Sequence, residues 1–167
     1  MQLVEQLLDL AGIGRDRMAL RWVSAAEGQI FANIVGELTE TTKALGHFDP
    51  DRNKLRLAAV EAVVRGPRMR WLTGMDRHVT EKANVYGDKI DEELYRKTAK
   101  QALTDEYHKA LIMESLKAGP LSVREMASAT GLPIYTVSLR LNDLEKRGLA
   151  DLKGYEGSTP KFIALAA

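Results

Sequence analysis

Residues 121–148, LSVREMASATGLPIYTVSLRLNDLEKRG, decide the fold of the C-terminal part of this 167-residue chain. A helix is predicted over Val123–Thr130, and Gly131-Leu132-Pro133 is typical of a tight turn. A second helix is predicted over Ile134–Arg147, and Gly148 marks its end because glycine readily adopts the backbone conformation that closes helices. The stretch therefore predicts two short helices joined by a turn.

The sequence on both sides extends this pattern. A helix is predicted over Asp105–Ala118, and Leu149–Lys153 and Lys161–Leu165 are typical of two strands around a glycine-rich turn. The order helix, helix, turn, helix, hairpin resembles the winged helix-turn-helix fold over residues 104–167. In DNA-binding proteins of this fold the third helix enters the major groove, whereas other members dock proteins, so the fold alone does not give the function.

A DNA-reading version of this fold needs outward polar side chains and basic residues that hold phosphates. The candidates for this alternative function, a transcription regulator, are Tyr135, Arg140, Asn142, Arg147 and, on the wing, Lys153. Residues 101–167 carry 8 basic and 8 acidic side chains, however, and acidic residues lie on the same helix. Protein docking is therefore the favoured prediction, and DNA binding is the alternative.

The N-terminal residues predict a helix, a strand and a second helix. The first helix lies within Met1–Leu10, and Met18–Val23 has the alternating apolar residues of a strand. Ser24, three residues before Glu27, indicates a capping box at the start of a helix that runs to about Leu45. The side chains of this helix that we expect to face a core are Ile30, Phe31, Ile34, Val35 and Leu38. Because the strand finds no partner within the first 50 residues, its edge is open to addition of another chain.

The positive charge of the chain lies in its middle. Residues 51–100 carry 12 basic and 8 acidic side chains, and a helix is predicted over residues 49–65. Residues 68–90 are less regular, and a further helix is predicted over residues 91–102, where acidic side chains favour a helix N-terminus. Such a basic run could hold a nucleic acid or the anionic tail of a cofactor, but a solvated helix face with contacts to an acidic partner is favoured. The side chains that suit such an interface are Arg68, Arg70 and Trp71.

Several kinds of chemistry are excluded or left without support. Cysteine is absent, which removes disulfides, thiolate zinc sites and iron–sulfur clusters with the usual ligands from this chain. The three histidines lack the spacing of metal ligands, and no nucleophile with a neighbouring base is recognisable. No apolar run approaches the roughly 18 residues of a membrane span. We therefore expect a cytoplasmic chain with no catalytic, metal-binding or cofactor-binding residues of its own.

Residues 20–32, LRWVSAAEGQIFA, followed by a helix and Leu45-Gly46, resemble the end of the methyl-viologen-reducing hydrogenase delta subunit, also called the hydrogenase iron-sulfur subunit. Residues 71–74 and 80–87, with the winged helix after them, look like the C-terminal extension of longer relatives. The family works beside heterodisulfide reductase. Its members relay electrons through a [2Fe–2S] cluster between a flavin-containing subunit and a hydrogenase, formate dehydrogenase or other oxidoreductase.

The resemblance implies a division of labour between subunits. The cluster cysteines of the family lie in an N-terminal region that this chain lacks, so iron–sulfur clusters and FAD are expected in partner subunits. We expect a split or shortened family member: a cofactor-free accessory subunit of a cytoplasmic, electron-bifurcating complex of the heterodisulfide reductase type in anaerobic metabolism. The residues expected to contact partners are Trp22, Ser24, Glu27 and Phe31, together with Arg68, Arg70 and Trp71.

Taken together, the sequence predicts a mainly α protein with a small α/β element. Residues 1–48 form a partial α/β unit with helix, strand and helix, residues 49–103 form a helical linker region, and residues 104–167 form the winged helix-turn-helix domain. The chain is not expected to be catalytic by itself. Its first predicted function is an accessory subunit, and its second is a DNA-binding regulator.

Overall fold

The computed structural model describes residues 2–165, which form a mainly helical protein with one small antiparallel sheet, so the predicted fold class is confirmed. A short 3-10 turn covers Arg15–Arg17. The helices are α1 (Gln2–Leu10), α2 (Gly28–Leu45), α3 (Lys54–Arg65), α4 (Pro67–Glu81), α5 (Glu92–Leu116), α6 (Val123–Thr130) and α7 (Ile134–Lys146), and the strands are β1 (Ala150–Glu156) and β2 (Thr159–Ala164). No helix within the described range is long and apolar enough to cross a membrane.

Helix α5, which is 25 residues long, is the element that both halves of the protein share. Its start is capped by the carboxylate of Asp91, which accepts a hydrogen bond from the backbone N–H of Leu94 at 2.8 Å. A first core cluster packs α1, α3 and α4 against its middle, and its buried members include Leu7, Val63, Leu103 and Tyr107. A second cluster packs α6, α7 and β1 against its C-terminal end, and its buried members include Ile112, Met126, Val137 and Leu141.

Two helices predicted on either side of residue 103 are one continuous helix in the structure. Leu103 is buried in the first core cluster, and neither it nor Thr104 is a residue that breaks a helix, so packing carries α5 through this point. The predicted boundary between residues 103 and 104 therefore lies inside α5. The structure also forms α4 where the sequence predicted irregular backbone, because Met69 and Leu72 are buried against the first cluster.

Helix α3 begins later than predicted. The carboxylate of Asp49 accepts hydrogen bonds from the backbone N–H groups of Asp51 at 3.0 Å and Arg52 at 3.1 Å, and this closes a turn before the helix. Asn53 then occupies the position before the first helical residue, Lys54. Local side-chain hydrogen bonding thus competes with the helix at residues 49–53.

The C-terminal elements follow the predicted order of helix, turn, helix and hairpin. Ser122 and Glu125 form a complete capping box at the start of α6, and Gly131 ends that helix in the left-handed conformation at φ 76°. Strands β1 and β2 pair antiparallel, with Ala150 opposite Ala164. Leu121 adds a bridge to Phe162 of β2 through backbone hydrogen bonds of 3.1 and 2.9 Å. These contacts tie the hairpin to the loop before α6.

The strand predicted over residues 18–23 is not formed within this chain. Met18 has extended backbone angles of φ −136° and ψ 129°, but residues 2–165 contain no strand that pairs with this segment. The capping box predicted at Ser24 is half made: the carboxylate of Glu27 accepts from the N–H of Ser24 at 2.9 Å, and α2 begins only at Gly28. A strand requires a hydrogen-bonded neighbour, so an isolated strand-like sequence stays extended and unpaired.

Candidate functional site

Helix α2 has an apolar face that the rest of the described chain does not cover. None of its residues is buried, and the side chain of Phe31 is 60% exposed, with Ile30 and Val35 also exposed. The prediction that this face packs into a core is therefore wrong for Ile30, Phe31 and Val35, whereas Ile34 and Leu38 are partly buried. Phe31 and Val35 lie one helical turn apart, and exposed apolar surface of this kind marks an interaction site.

Arg17 contacts the C-terminal end of α2. The guanidinium of Arg17 donates to the carbonyl oxygens of Leu45 at 3.0 Å and Gly46 at 3.2 Å, which satisfies acceptors at the end of the helix. The same guanidinium lies 5.3 Å from the ring centroid of Phe48. The helix is thus anchored at one end, and Phe31 lies toward the other.

The extended segment before α2 adds a second exposed apolar element. Trp22 is 89% exposed, and Met18 and Leu20, four and two residues earlier, are exposed as well. Within the described range, residues 19–23 make no backbone-to-backbone hydrogen bond. The Leu20 carbonyl accepts a hydrogen bond from the Arg21 guanidinium at 3.4 Å. The other backbone donors and acceptors of the segment are available to a partner, which is the property of an open strand edge.

Ser24 and Glu27 shape the turn between this segment and α2. Besides the bond from the Ser24 N–H to Glu27, the Ser24 hydroxyl accepts from the backbone N–H of Ala26 at 3.4 Å. Both polar side chains are therefore engaged with the local backbone. Both residues are exposed, and their predicted contact with a partner stays a prediction.

The three predicted contact residues of α4 do not behave alike. Arg68 donates to the carboxylate of Glu106 on α5 at 2.9 Å, so its charge is already paired. Arg70 donates to the carbonyl oxygen of Arg65 at 3.0 Å, and Trp71 is 59% exposed. Burial raises the pKa of Glu106, but the hydrogen bonds and charges of Lys109 and Arg68 outweigh it, and the pKa lies below its usual range. Arg68 is thus a structural residue, and Arg70 and Trp71 remain at the surface.

In the C-terminal module, which we define as α6, α7, β1 and β2, the structure corrects the role predicted for Arg140. Its side chain is 16% exposed and forms an ion pair with Asp105 of α5, with Asp143 at 3.4 Å. An arginine held in this way is not an outward reader of bases. The residues predicted for DNA reading that do lie at the surface are Tyr135, Asn142, Arg147 and Lys153.

A second cation of this module is also paired. Lys161 lies 2.7 Å from Glu125 and 2.9 Å from Glu156. The hydrogen bond from Lys161, with those from the backbone and hydroxyl of Ser122, lowers the pKa of Glu125 to about 2. Arg140 and Lys161 are neutralised, whereas Arg124, Lys146, Arg147 and Lys153 are exposed without an ion pair in the described part of the chain. Ile134 and Leu139 are exposed on α7 and add apolar area.

His108 is partly buried beside these charges. Burial lowers the pKa of His108, the charge of Arg140 lowers it further, and Asp105 opposes both. The Nδ1 atom of His108 is buried without a hydrogen-bond partner in the described part of the chain. Across residues 2–165, no group of three or more His, Asp or Glu side chains is arranged to hold a metal ion.

Residues 1–46 match the family model of the methyl-viologen-reducing hydrogenase, delta subunit. The N-terminal segment is similar to that subunit. The match ends at the C-terminus of α2, so it takes in the extended segment and the uncovered helix and leaves out everything from α3 onward. The resemblance of residues 71–87 and of the C-terminal module to the extension of longer relatives stays a prediction. No solved structure matches the chain.

Proposed function

We propose that this chain is an accessory subunit of a multi-subunit oxidoreductase and that residues 18–35 dock it onto a partner. One observation carries the proposal. The apolar surface that lies uncovered in this chain falls inside the 46 residues that are similar to a hydrogenase delta subunit. A surface of this kind is stabilised when a partner covers it, since burial of apolar area drives association.

The docking uses two elements in sequence. Residues 19–23 add a strand to an open sheet edge of the partner, and their unpaired N–H and C=O groups supply the hydrogen bonds. Helix α2 then lays Phe31 and Val35 over that sheet, and Trp22 acts as the aromatic anchor. Ser24 and Glu27 set the angle between strand and helix through the bond from the Ser24 N–H to the Glu27 carboxylate.

The finer proposal concerns the complex itself. We propose an electron-bifurcating assembly of the heterodisulfide reductase type, located in the cytoplasm, in which partner subunits hold the iron–sulfur clusters and FAD. The chain has no cysteine, and cysteine thiolates are the usual ligands of such clusters, so the electron carriers are assigned to the partners. Here the accessory subunit completes and braces the fold of a cluster-bearing subunit.

We further propose that the C-terminal module, assigned as a winged helix, also contacts protein. Arg140 is paired with Asp105 and Lys161 with Glu125, so neither cation is available to bind a phosphate backbone, and this supports the choice. The exposed Ile134 and Tyr135 at the start of α7 provide apolar contact area. The DNA-binding regulator has less support, since Arg140, one of the five residues expected to contact DNA, is held in ion pairs with Asp105 and Asp143.

The experiment is purification of the tagged full chain from its native host. The expected result is co-purification of an iron–sulfur protein and a flavoprotein in fixed ratio to the chain, measured by visible absorbance and mass spectrometry. Phe31→Glu is expected to release them, because it places a charge in the apolar interface. A chain that purifies alone, without an iron or flavin protein, overturns the proposal.

Gln29→Glu is the matched control for this substitution. Gln29 lies two residues before Phe31, about 160° around the helix, and its side chain already bonds to Asn33 at 3.1 Å. The same new charge on this opposite face is expected to leave the complex intact. Release by both variants would mean that added charge on α2, rather than loss of the apolar face, is responsible.

A further inference from the structure

The outward face of α4 carries an unusual group of side chains. Arg70, Trp71, Gly74, Arg77 and His78 are all exposed, whereas Met69 and Leu72 of the same helix are buried. At 3.6 residues per turn, Gly74 lies at the centre of this outward face. Trp71 and His78 lie on one side of it, and Arg70 and Arg77 on the other.

No contact within residues 2–165 requires a glycine at position 74. It is in the interior of a 15-residue helix, and a Cβ atom built on it meets nothing within 4 Å. Glycine in a helix interior is destabilising relative to alanine, so the position carries a cost that no internal contact offsets. A small residue at the centre of an exposed face permits the close approach of another backbone from outside.

The charges around Gly74 indicate what approaches it. Arg70 donates to the backbone carbonyl of Arg65 and has no carboxylate partner within residues 2–165. The Nε atom of Arg77 lies 3.8 Å from Glu81, the outer limit of an ion pair, and its side chain is largely exposed. The two arginines lie on one side of Gly74 and complement carboxylates. The exposed indole of Trp71 lies on the other side and complements an aliphatic surface.

We propose that the outward face of α4 docks an acidic helix of a partner subunit, which crosses α4 at Gly74. Carboxylates of that helix pair with Arg70 and Arg77, and its aliphatic side chains pack on Trp71. The distance between packed helix axes depends on the side chains at the crossing. Because Gly74 has no side chain, it allows the shortest distance between the axes. This inference rests on the proposed function in taking the chain as a subunit, but it uses a different surface.

A nucleic acid fits this face less well than an acidic helix. A phosphate backbone carries a charge at every nucleotide and is held by rows of cations. The outward face offers two arginines, and Glu81 beside Arg77 lowers the positive charge at that end. Two cations suit a pair of carboxylates and are too few for a row of phosphates.

The test is photo-crosslinking in the complex from the native host, with Trp71→p-benzoylphenylalanine in the full chain. The expected product joins position 71 to a helical segment of another subunit that is rich in Asp and Glu, identified by mass spectrometry. Crosslinks to nucleic acid, to a second copy of this chain or to a neutral segment overturn the proposal. Absence of any crosslink in the intact complex overturns it as well.

Substitution of the glycine separates docking from folding. Gly74→Ala is expected to raise the thermal midpoint of the free chain, while the affinity for the partner falls by at least about tenfold. Gly36→Ala is the control: Gly36 is also an exposed glycine inside a helix with nothing within 4 Å of a built Cβ. It lies about 140° around α2 from Phe31 and is expected to leave binding unchanged. Unchanged affinity in Gly74→Ala overturns the proposal.

A charge reversal tests the ion pairs separately. Arg70→Glu with Arg77→Glu is expected to weaken binding by a further factor that shrinks as salt is raised. If Gly74→Ala leaves the affinity for the partner unchanged, this inference fails. If Phe31→Glu leaves the complex intact, the proposed function fails. The two results are read on different surfaces of one complex and are therefore distinguishable.

Discussion

Arg140 of α7 is paired with Asp105 of α5, and this contact joins the C-terminal module to the helix that the rest of the protein packs around. The arginine is 16% exposed and the aspartate 22% exposed, so water screens the pair weakly. Arg140 was expected to contact DNA bases, but its position in this ion pair means that it stabilises the packing of α7 on α5 instead.

Asp105→Asn is expected to destabilise the protein by about 2–3 kcal/mol, because it leaves the half-buried charge of Arg140 without its partner on α5. Chemical denaturation followed by circular dichroism measures the change. Arg147→Ala, at an exposed position, is the control and is expected to change stability by less than about 0.5 kcal/mol. Equal effects of the two variants would contradict a structural role for Arg140.

The stability of the C-terminal module is expected to fall in acid through Glu125. Its folded pKa of about 2 lies below the ordinary value of 4.5, since Lys161 and Ser122 hydrogen-bond to the carboxylate. The stabilisation is present above the ordinary pKa and is lost as the pH falls from about 4.5 toward 2. Glu125→Gln is expected to flatten this part of the curve of unfolding free energy against pH. A curve identical to that of the parent chain would rule out the contribution.

His108 is expected to titrate below the ordinary histidine value. Burial and then Arg140 lower its pKa, against the opposing charge of Asp105, so the folded protein protonates the ring at a lower pH than the unfolded chain does. The unfolded chain binds the extra proton first, and stability is therefore lost as the pH falls below about 6.5. An NMR titration of the ring measures the pKa, and Arg140→Met is expected to raise it. A pKa above 6.5 in the parent chain would contradict the burial argument.

Tyr107→Phe is expected to leave the protein as stable as before, or more stable by up to about 1 kcal/mol. The hydroxyl of Tyr107 is buried, and it has no hydrogen-bond partner in the described part of the chain. Burial raises the pKa of this hydroxyl to about 12, against a smaller opposing effect of Arg56. Removal of an unsatisfied buried polar group abolishes its desolvation cost. Tyr107→Ala, by contrast, is expected to cost about 3–5 kcal/mol, because it empties the core; thermal unfolding distinguishes the two.

The C-terminal module was predictable because its signals are local. The Ser122 and Glu125 capping box, the left-handed Gly131 and the residues of α7 act within a few positions of one another. Helix α4 and the continuity of α5 were not predictable in the same way. Both depend on the burial of Met69, Leu72 and Leu103 against elements that are distant in sequence.

Some features of the candidate site are likewise visible in the sequence, whereas others depend on tertiary packing. The alternation of residues 18–23 and the apolar stripe of α2 are visible in the sequence, and so is the absence of cysteine. The sequence did not indicate that Gly74 lies at the centre of an exposed face, because its neighbours on that face are set by which side of α4 is buried. The spacing of Trp71 and His78 around it was the signal that could have found it.

The amino-acid sequence by itself determined the helical composition, the order of the C-terminal elements, and an amphipathic α2 in a chain without thiolate ligands. Only the tertiary structure decided that the apolar face of α2 lies uncovered and that Trp71 is exposed. It also decided that Arg68 forms an ion pair with Glu106 and Arg140 one with Asp105. The physical reason is that propensity and capping act between near neighbours, whereas exposure and ion pairing depend on which distant surfaces pack together.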